Sequence, residues 1–140
     1  MANNHMCNYG KIGLDQTKKI LSDNQIYWTG ISDGEPIINI KNKRVGFLGF
    51  NDIGGGGCGI NDAKDVSEKI QILKPQVDFV VVQFYWGVEY KSNPTARQVA
   101  LAREAIGAGA DLVVGNHSHW PQTTERYKDK LIVYSQGKSF

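Results

Sequence analysis

A layered α/β fold, a sandwich built on a mixed sheet flanked by helices, is what this sequence predicts, and three patterns point to it. The second half alternates apolar, β-branched runs with helix-period stripes: residues 77–84, then Val99, Ala102 and Ile106, then residues 111–115. Strand, helix, strand, helix, strand in that order builds right-handed βαβ units. The first half adds one amphipathic helix and a hairpin pattern, and a length of 140 residues with 41% apolar side chains suits a single domain with a sizeable core.

Each element has its own signal. Leu14, Thr17 and Leu21 recur at helical spacing over residues 10–23, and Asn24 follows as a stop. A short strand is expected at 26–29. Residues 36–41 and 44–50 are β-rich runs on either side of Asn42-Lys43, a pair suited to a two-residue hairpin turn because Asn tolerates positive φ. Gly54 to Gly57, with Gly59 close by, reads as a loop, since each glycine costs regular structure roughly 0.5–1 kcal/mol relative to alanine. A helix then begins near Asn61 or Asp62, carries Val66, Ile70 and Leu73 on one stripe, and ends before Pro75. The nearly unbroken apolar run 77–84 predicts a strand covered on both faces at the centre of a mostly parallel sheet. Thr95 and Gln98 have capping-box spacing beside Pro94, and Gly107 and Gly109 close that helix. The tail predicts a strand over 122–127, a Lys128-Asp129-Lys130 turn and a last strand over 131–135.

Composition excludes several function classes. A net charge of +2 without any basic run lacks the electrostatic footprint of a nucleic-acid binder. Mean hydropathy is −0.36, and no stretch approaches the roughly 20 consecutive apolar residues of a membrane span. Residues 1–5 show neither the basic nor the apolar region of a signal peptide. Cys7 and Cys58 are too few for a disulfide framework, match no zinc spacing and have no neighbouring base, so they read as inert and leave the redox compartment open.

Ligands of open α/β sheets gather beyond the carboxyl ends of the strands, and three polar stretches lie where such ends are expected. His117 and His119, two apart on an extended segment, would project to one side and present both ring nitrogens to one metal ion; the plainer reading is two partly exposed loop histidines. Asn4 and His5 admit a metal-binding oxygen with a general acid, or simply a helix cap. Glu89 either orients a histidine or is solvated, and Tyr85, Trp86 and Tyr90 either wall a ligand or complete the core. The glycine run lacks the Gly-Lys-Ser/Thr ending of a phosphate loop, so flexibility is the better reading.

Taken together, Ala2-Asn3-Asn4-His5 with Tyr9-Gly10 and Gly13, Trp86-Gly87-Val88-Glu89-Tyr90 with Pro94 and Gln98, Gly109 to His119 with Gln122, Glu125 and Tyr127, and Tyr134-Ser135 with Gly137 resemble the CapA family of poly-γ-glutamate capsule-synthesis proteins. That family is similar to the calcineurin-like metallophosphoesterases. The resemblance implies a partial metallophosphoesterase-like fold, two packed mixed sheets in its complete form, and a two-metal site that activates water and clamps phosphoryl oxygens. It implies Asn4, His117 and His119 as metal ligands, His5 as the histidine that assists the leaving group, and Asn116, Trp86 and Glu89 on the substrate side. The implied cofactor is a divalent ion, Mn, Zn or Fe. The implied partners are an anionic polymer or phosphoester substrate and capsule-synthesis membrane proteins, with no nucleic acid, at a bacterial cell envelope.

The chain departs from the family pattern in ways that set further expectations. Tyr85 stands where the family usually has a histidine, and the early aspartate motifs would precede Met1. The closing Ser-Leu-Gly-Asn-Phe pattern appears as Ser135-Gln136-Gly137-Lys138-Ser139-Phe140. A domain truncated at both ends is therefore expected, with an apolar sheet edge left unpaired and at most one weakly held metal. Three functions compete: a capsule-synthesis protein with an impaired phosphoesterase-like site, a non-catalytic accessory or polymer-binding module, and a gene fragment without a function of its own.

Overall fold

A computed structural model describes residues 1–54 and 57–138. Gly55 and Gly56, in the middle of the expected glycine loop, lie outside the described residues, as do Ser139 and Phe140. The elements run α1 (Gly10–Asp23), β1 (Ile37–Ile40), β2 (Lys43–Asn51), α2 (Val66–Leu73), β3 (Phe79–Tyr85), α3 (Ala96–Ala108), β4 (Leu112–Asn116), β5 (Thr124–Tyr127) and β6 (Lys130–Val133). All six strands form one mixed sheet in the order β1-β2-β3-β4-β6-β5. Strands β2, β3, β4 and β6 are parallel, and β1 and β5 add on antiparallel at the two edges. This is the predicted α/β class. No helix among the described residues is long and apolar enough to cross a membrane.

The core lies between the sheet and α2 and α3. Leu48, Phe50, Val80, Val82, Phe84, Val113 and Ile132 point from one sheet face toward Val66, Ile70, Leu73, Leu101, Ala102, Ala105 and Ile106. Each Val, Leu, Ile or Phe side chain among them, once fully buried, contributes about 1.5–3 kcal/mol. Helix α3 begins with the complete capping box: Thr95 Oγ1 accepts from Gln98 N–H, and the Gln98 side chain accepts from Thr95 N–H. Single 3₁₀ turns flank α2, the first capped by Asp62 and the second holding Pro75, where a missing N–H is harmless.

The opposite sheet face corrects one expectation. Burial along β3 alternates, with Val80, Val82 and Phe84 buried while Phe79 and Gln83 are exposed, so this strand is covered on one face and not on both. By strand register the open face carries Ile38, Val45, Phe47, Val81, Leu112, Val114 and Val133. A shallow hollow of about 250 Å³ between Trp28, Ile38, Phe47 and Gln83 marks it. The exposed apolar surface expected at a sheet edge is thus a sheet face.

Two smaller corrections concern the first half. Residues 26–29 form no strand: Thr29 Oγ1 donates to Phe47 O, and the chain turns away at Gly30, with φ of 102°. The hairpin turn is Lys41-Asn42, with φ of 48° and 64°, one residue before the predicted pair. Helix α1 keeps its predicted limits but buries only Leu14, in a satellite cluster with Ile31 and Ile60.

Candidate functional site

Three strands end side by side at the carboxyl edge of the sheet, where Asn51, Tyr85 and Asn116 are register partners in a row. Two loops continue from that row. One runs from Tyr85 to Tyr90; the other runs from Asn116 to Trp120. Tyr90 N–H donates to Ser118 O at 2.8 Å and locks the loops together.

The second loop is not extended, which corrects the reason why its histidines would share a side. Strand β4 stops at Asn116, and His117 and His119 take positive φ values of 96° and 60°, while Tyr90 across the junction has 58°. Left-handed backbone at residues with side chains costs about 1–3 kcal/mol each and persists only where the surroundings enforce it. Ser118 does the enforcing. It is fully buried, its Oγ donates to Trp120 O at 2.7 Å, and it lies 2.8 Å from Ser135 Oγ, which in turn accepts from Gly137 N–H. The outcome is two imidazoles with ring centres 6.1 Å apart.

Their surroundings differ. The His117 ring packs on Tyr85, with centres 4.6 Å apart, and its Nδ1 is buried with no hydrogen-bond partner. Burial is the main reason its pKa lies below the ordinary imidazole value; the Glu89 carboxylate pulls it back up, and charge on His119 and on His5 pushes it down. At neutral pH this ring is therefore uncharged and can offer a lone pair. His119 lies 3.4 Å from Glu89 through Nε2 and stacks on Tyr90, which meets Trp120 edge-on. Burial, followed by the Glu89 charge, raises the Tyr85 pKa and keeps it a neutral phenol.

Asn4 and His5 lie in the turn before α1, both exposed, with His5 Nδ1 3.2 Å from Asn8 Nδ2. The capping reading fails, because α1 starts at Gly10 behind Tyr9, which supplies no side-chain cap. Charge on His5 also acts on His117 and lowers its pKa. Asn116 is half-buried at the end of β4, and Glu89 is exposed. Trp86 is placed otherwise than expected. It is fully buried, stacked on Phe84 with centres 4.3 Å apart, and its Nε1 donates to Tyr134 O at 2.8 Å; it is a core residue and lines no open pocket.

A buried, unpartnered ring nitrogen calls for an explanation such as an ion, and His117 Nδ1 meets that description. Two imidazoles fit one side of a single ion. A closed site needs about four ligands, and among the described residues no three His, Cys, Asp or Glu side chains are gathered to hold a metal. Ser118, Ser135 and Trp120 escaped the sequence reading. Ser118 sits between the histidines, but nothing in the sequence pairs it with Ser135.

Comparison with known proteins agrees with this architecture. The chain is 35% identical over 156 residues to the capsule biosynthesis protein CapA of Bacillus anthracis, covering 98% of this chain and 38% of that one. It is 33% identical to the PGA biosynthesis protein CapA of Bacillus subtilis, covering 97% and 40%. It therefore spans about two fifths of the length of these relatives. Two solved structures share the fold: a novel phosphatase from Mycoplasma pneumoniae (TM-score 0.57, 16% identity, 74% of this chain and 35% of that one) and a hypothetical protein from Thermus thermophilus (TM-score 0.55, 18% identity, 74% and 38%). The family described as bacterial capsule synthesis protein PGA_cap matches residues 1–139. With that span and relatives above 30% identity along nearly its whole length, the chain belongs to the PGA_cap family of bacterial capsule synthesis proteins.

Proposed function

We propose that this chain serves poly-γ-glutamate capsule synthesis or export with a metallophosphoesterase-like site that is impaired in this chain. The observation that supports the reading is the pairing of His117 and His119 just beyond the carboxyl end of β4, with ring centres 6.1 Å apart and His117 Nδ1 buried without a partner. Asn4, His117 and His119 would hold a divalent ion, Mn, Zn or Fe. Such an ion activates water and stabilises displaced phosphoryl oxygens when a full ligand set holds it. His5, exposed in the turn before α1, would donate a proton to the leaving group. Asn116 and Glu89 would face the substrate, an anionic polymer or phosphoester. Membrane proteins of capsule synthesis at the cell envelope are the partners this function calls for.

A second reading is favoured by one observation: no three ligating side chains meet among the described residues. On that reading the chain is a non-catalytic module that binds the polymer. Hydrolysis of a generic phosphodiester with manganese, zinc or iron(II) present separates the two. Metal-dependent turnover lost in both His117→Ala and His119→Ala supports the phosphoesterase-like site. Absence of turnover with every metal, together with heat of binding to polyglutamate at low salt, supports the module. Neither turnover nor heat removes both.

A further inference from the structure

The chain's two cysteines, dismissed in sequence as inert, are brought together by the fold. Cys7 lies two residues after His5, and Cys58 lies in the loop after β2; they are 51 residues apart in sequence with Cα atoms 6.2 Å apart, and they are bonded as a disulfide. That spacing lies within the usual range for such a bridge.

What the bridge joins gives it a role. Hydrogen bonds of residues 3–9 stay local: His5 N–H to Asn3 Oδ1, Asn8 N–H to His5 O, Asn8 Nδ2 with His5 Nδ1, and Gly10 N–H to Cys7 O. Among the described residues no hydrogen bond ties this turn to the sheet. Noncovalent anchorage of this end is modest: Leu14 is the sole buried side chain of α1, Met1, Met6 and Cys7 pack on its small cluster with Ile31 and Ile60, the Met1 ammonium donates to Thr29 O, and Lys18 pairs with Asp33. The Cys58 loop, by contrast, is well fixed. Ser32 N–H donates to Gly59 O, Asn61 N–H to Gly30 O and Asn51 N–H to Asn61 O, and Ile31 pairs with Ile60. A covalent bond from a turn held by a small apolar cluster to a loop held by several backbone hydrogen bonds is the strongest tie the turn has.

We propose that the Cys7–Cys58 disulfide is a redox-dependent staple that holds the His5-bearing turn at the carboxyl edge of the sheet, closed in an oxidising compartment and open in a reducing one. Closure is thiol–disulfide exchange: the two thiols are oxidised to the S–S bond as a small-molecule or protein disulfide is reduced to two thiols, and the two protons pass to those leaving thiolates. Extracytoplasmic conditions keep such a bridge closed, whereas the glutathione and thioredoxin systems of the cytosol open it. The staple stands independently of whether the site hydrolyses anything.

The test is hydrogen–deuterium exchange of the full 140-residue chain, oxidised with oxidised glutathione and then reduced with dithiothreitol. Amides of residues 3–24 exchange at least tenfold faster after reduction, while β2, β3 and β4 keep their protection. Thiol counting in denaturant finds no free cysteine in the oxidised form and two after reduction, and Cys7→Ser/Cys58→Ser behaves like the reduced protein in both redox states. Unchanged protection of 3–24 overturns the staple. So does loss of protection throughout the sheet, which would make the bridge a global stabiliser, and so do two free thiols after oxidation. Cys7→Ser alone provides a second route if the double variant does not fold, and it must show the same local loosening.

Discussion

Ser118 Oγ and Ser135 Oγ lie 2.8 Å apart inside the protein, joining the loop of the two histidines to the last strand's exit. Ser118 also donates to Trp120 O, so its hydroxyl holds both sides of a loop whose flanking residues, His117 and His119, have positive φ. Losing that hydroxyl leaves Trp120 O without its donor and the Ser135 hydroxyl without its partner, and releases the strain. Ser118→Ala therefore lowers stability by about 1–3 kcal/mol, read from urea denaturation, and speeds amide exchange at residues 116–120. A variant as stable as the parent, with the loop equally protected, would show that packing alone sets these backbone angles.

Local signals in the sequence carried most of the fold. The Thr95–Gln98 capping box, the Asn24 stop and the stripe Val66, Ile70, Leu73 depend on neighbours a few residues away, and all are found where expected. What failed depended on partners far along the chain. Residues 26–29 have strand-like composition but find no ladder partner, and residues 77–84 look apolar apart from Asp78 and Gln83 although only alternate side chains meet a helix layer. The site divided in the same way. His117 and His119 stood out because they are two residues apart; the Ser118–Ser135 contact and the Cys7–Cys58 bridge span 17 and 51 residues, and no local pattern announces them. Trp86 misled because strand-end aromatics serve core and ligand walls alike, and its bond to Tyr134 O decides for the core.

Asp111 accepts from Lys130 at 2.6 Å, Lys74 at 2.7 Å and Val80 N–H at 2.9 Å. Burial by itself would raise its pKa, but these hydrogen bonds together outweigh burial and hold the carboxyl below its usual range. With the folded pKa below the unfolded value of about 4, the stabilisation is fully present above that value and is lost as pH falls through the folded one. Asp111→Asn should cost about 1–3 kcal/mol at pH 7, and the gap from the parent should shrink as pH drops below about 4. Denaturation curves that stay equally spaced at every pH would assign the loss to packing instead of charge.

Gly115 and Gly107 are a contrasting pair. A Cβ on Gly115 would lie 2.1 Å from Tyr134 O and 2.3 Å from Trp86 Nε1, the two atoms of the bond that seats the indole. Neither can withdraw, since one is backbone and the other belongs to a fully buried ring. Gly115→Ala is expected to lose roughly 3 kcal/mol or more and to quench the ordered near-ultraviolet signal of Trp86. Gly107, inside α3, has nothing within 4 Å of such a Cβ, so Gly107→Ala gains about 0.5–1 kcal/mol from helix propensity. Thermal melts of the two variants beside the parent check both signs at once.

Adjacent residues of β3 test the one-sided sheet. Val82 is fully buried against the helix layer, and Val81 faces the open side, half-buried in a hollow of about 180 Å³ with Phe47, Gln83 and Val114. A lysine at 82 must bury its ammonium or break the layer, a change of several kcal/mol. A lysine at 81 can extend along the apolar face and keep its charge in water. Val81→Lys in this 140-residue chain should therefore stay within about 1 kcal/mol of the parent, while Val82→Lys abolishes cooperative unfolding. The open face should also bind the dye 8-anilinonaphthalene-1-sulfonate in the folded parent, because exposed apolar patches of this kind take up such probes, and Val81→Lys should reduce that fluorescence. Equal damage from both lysines would mean that the second face is covered after all.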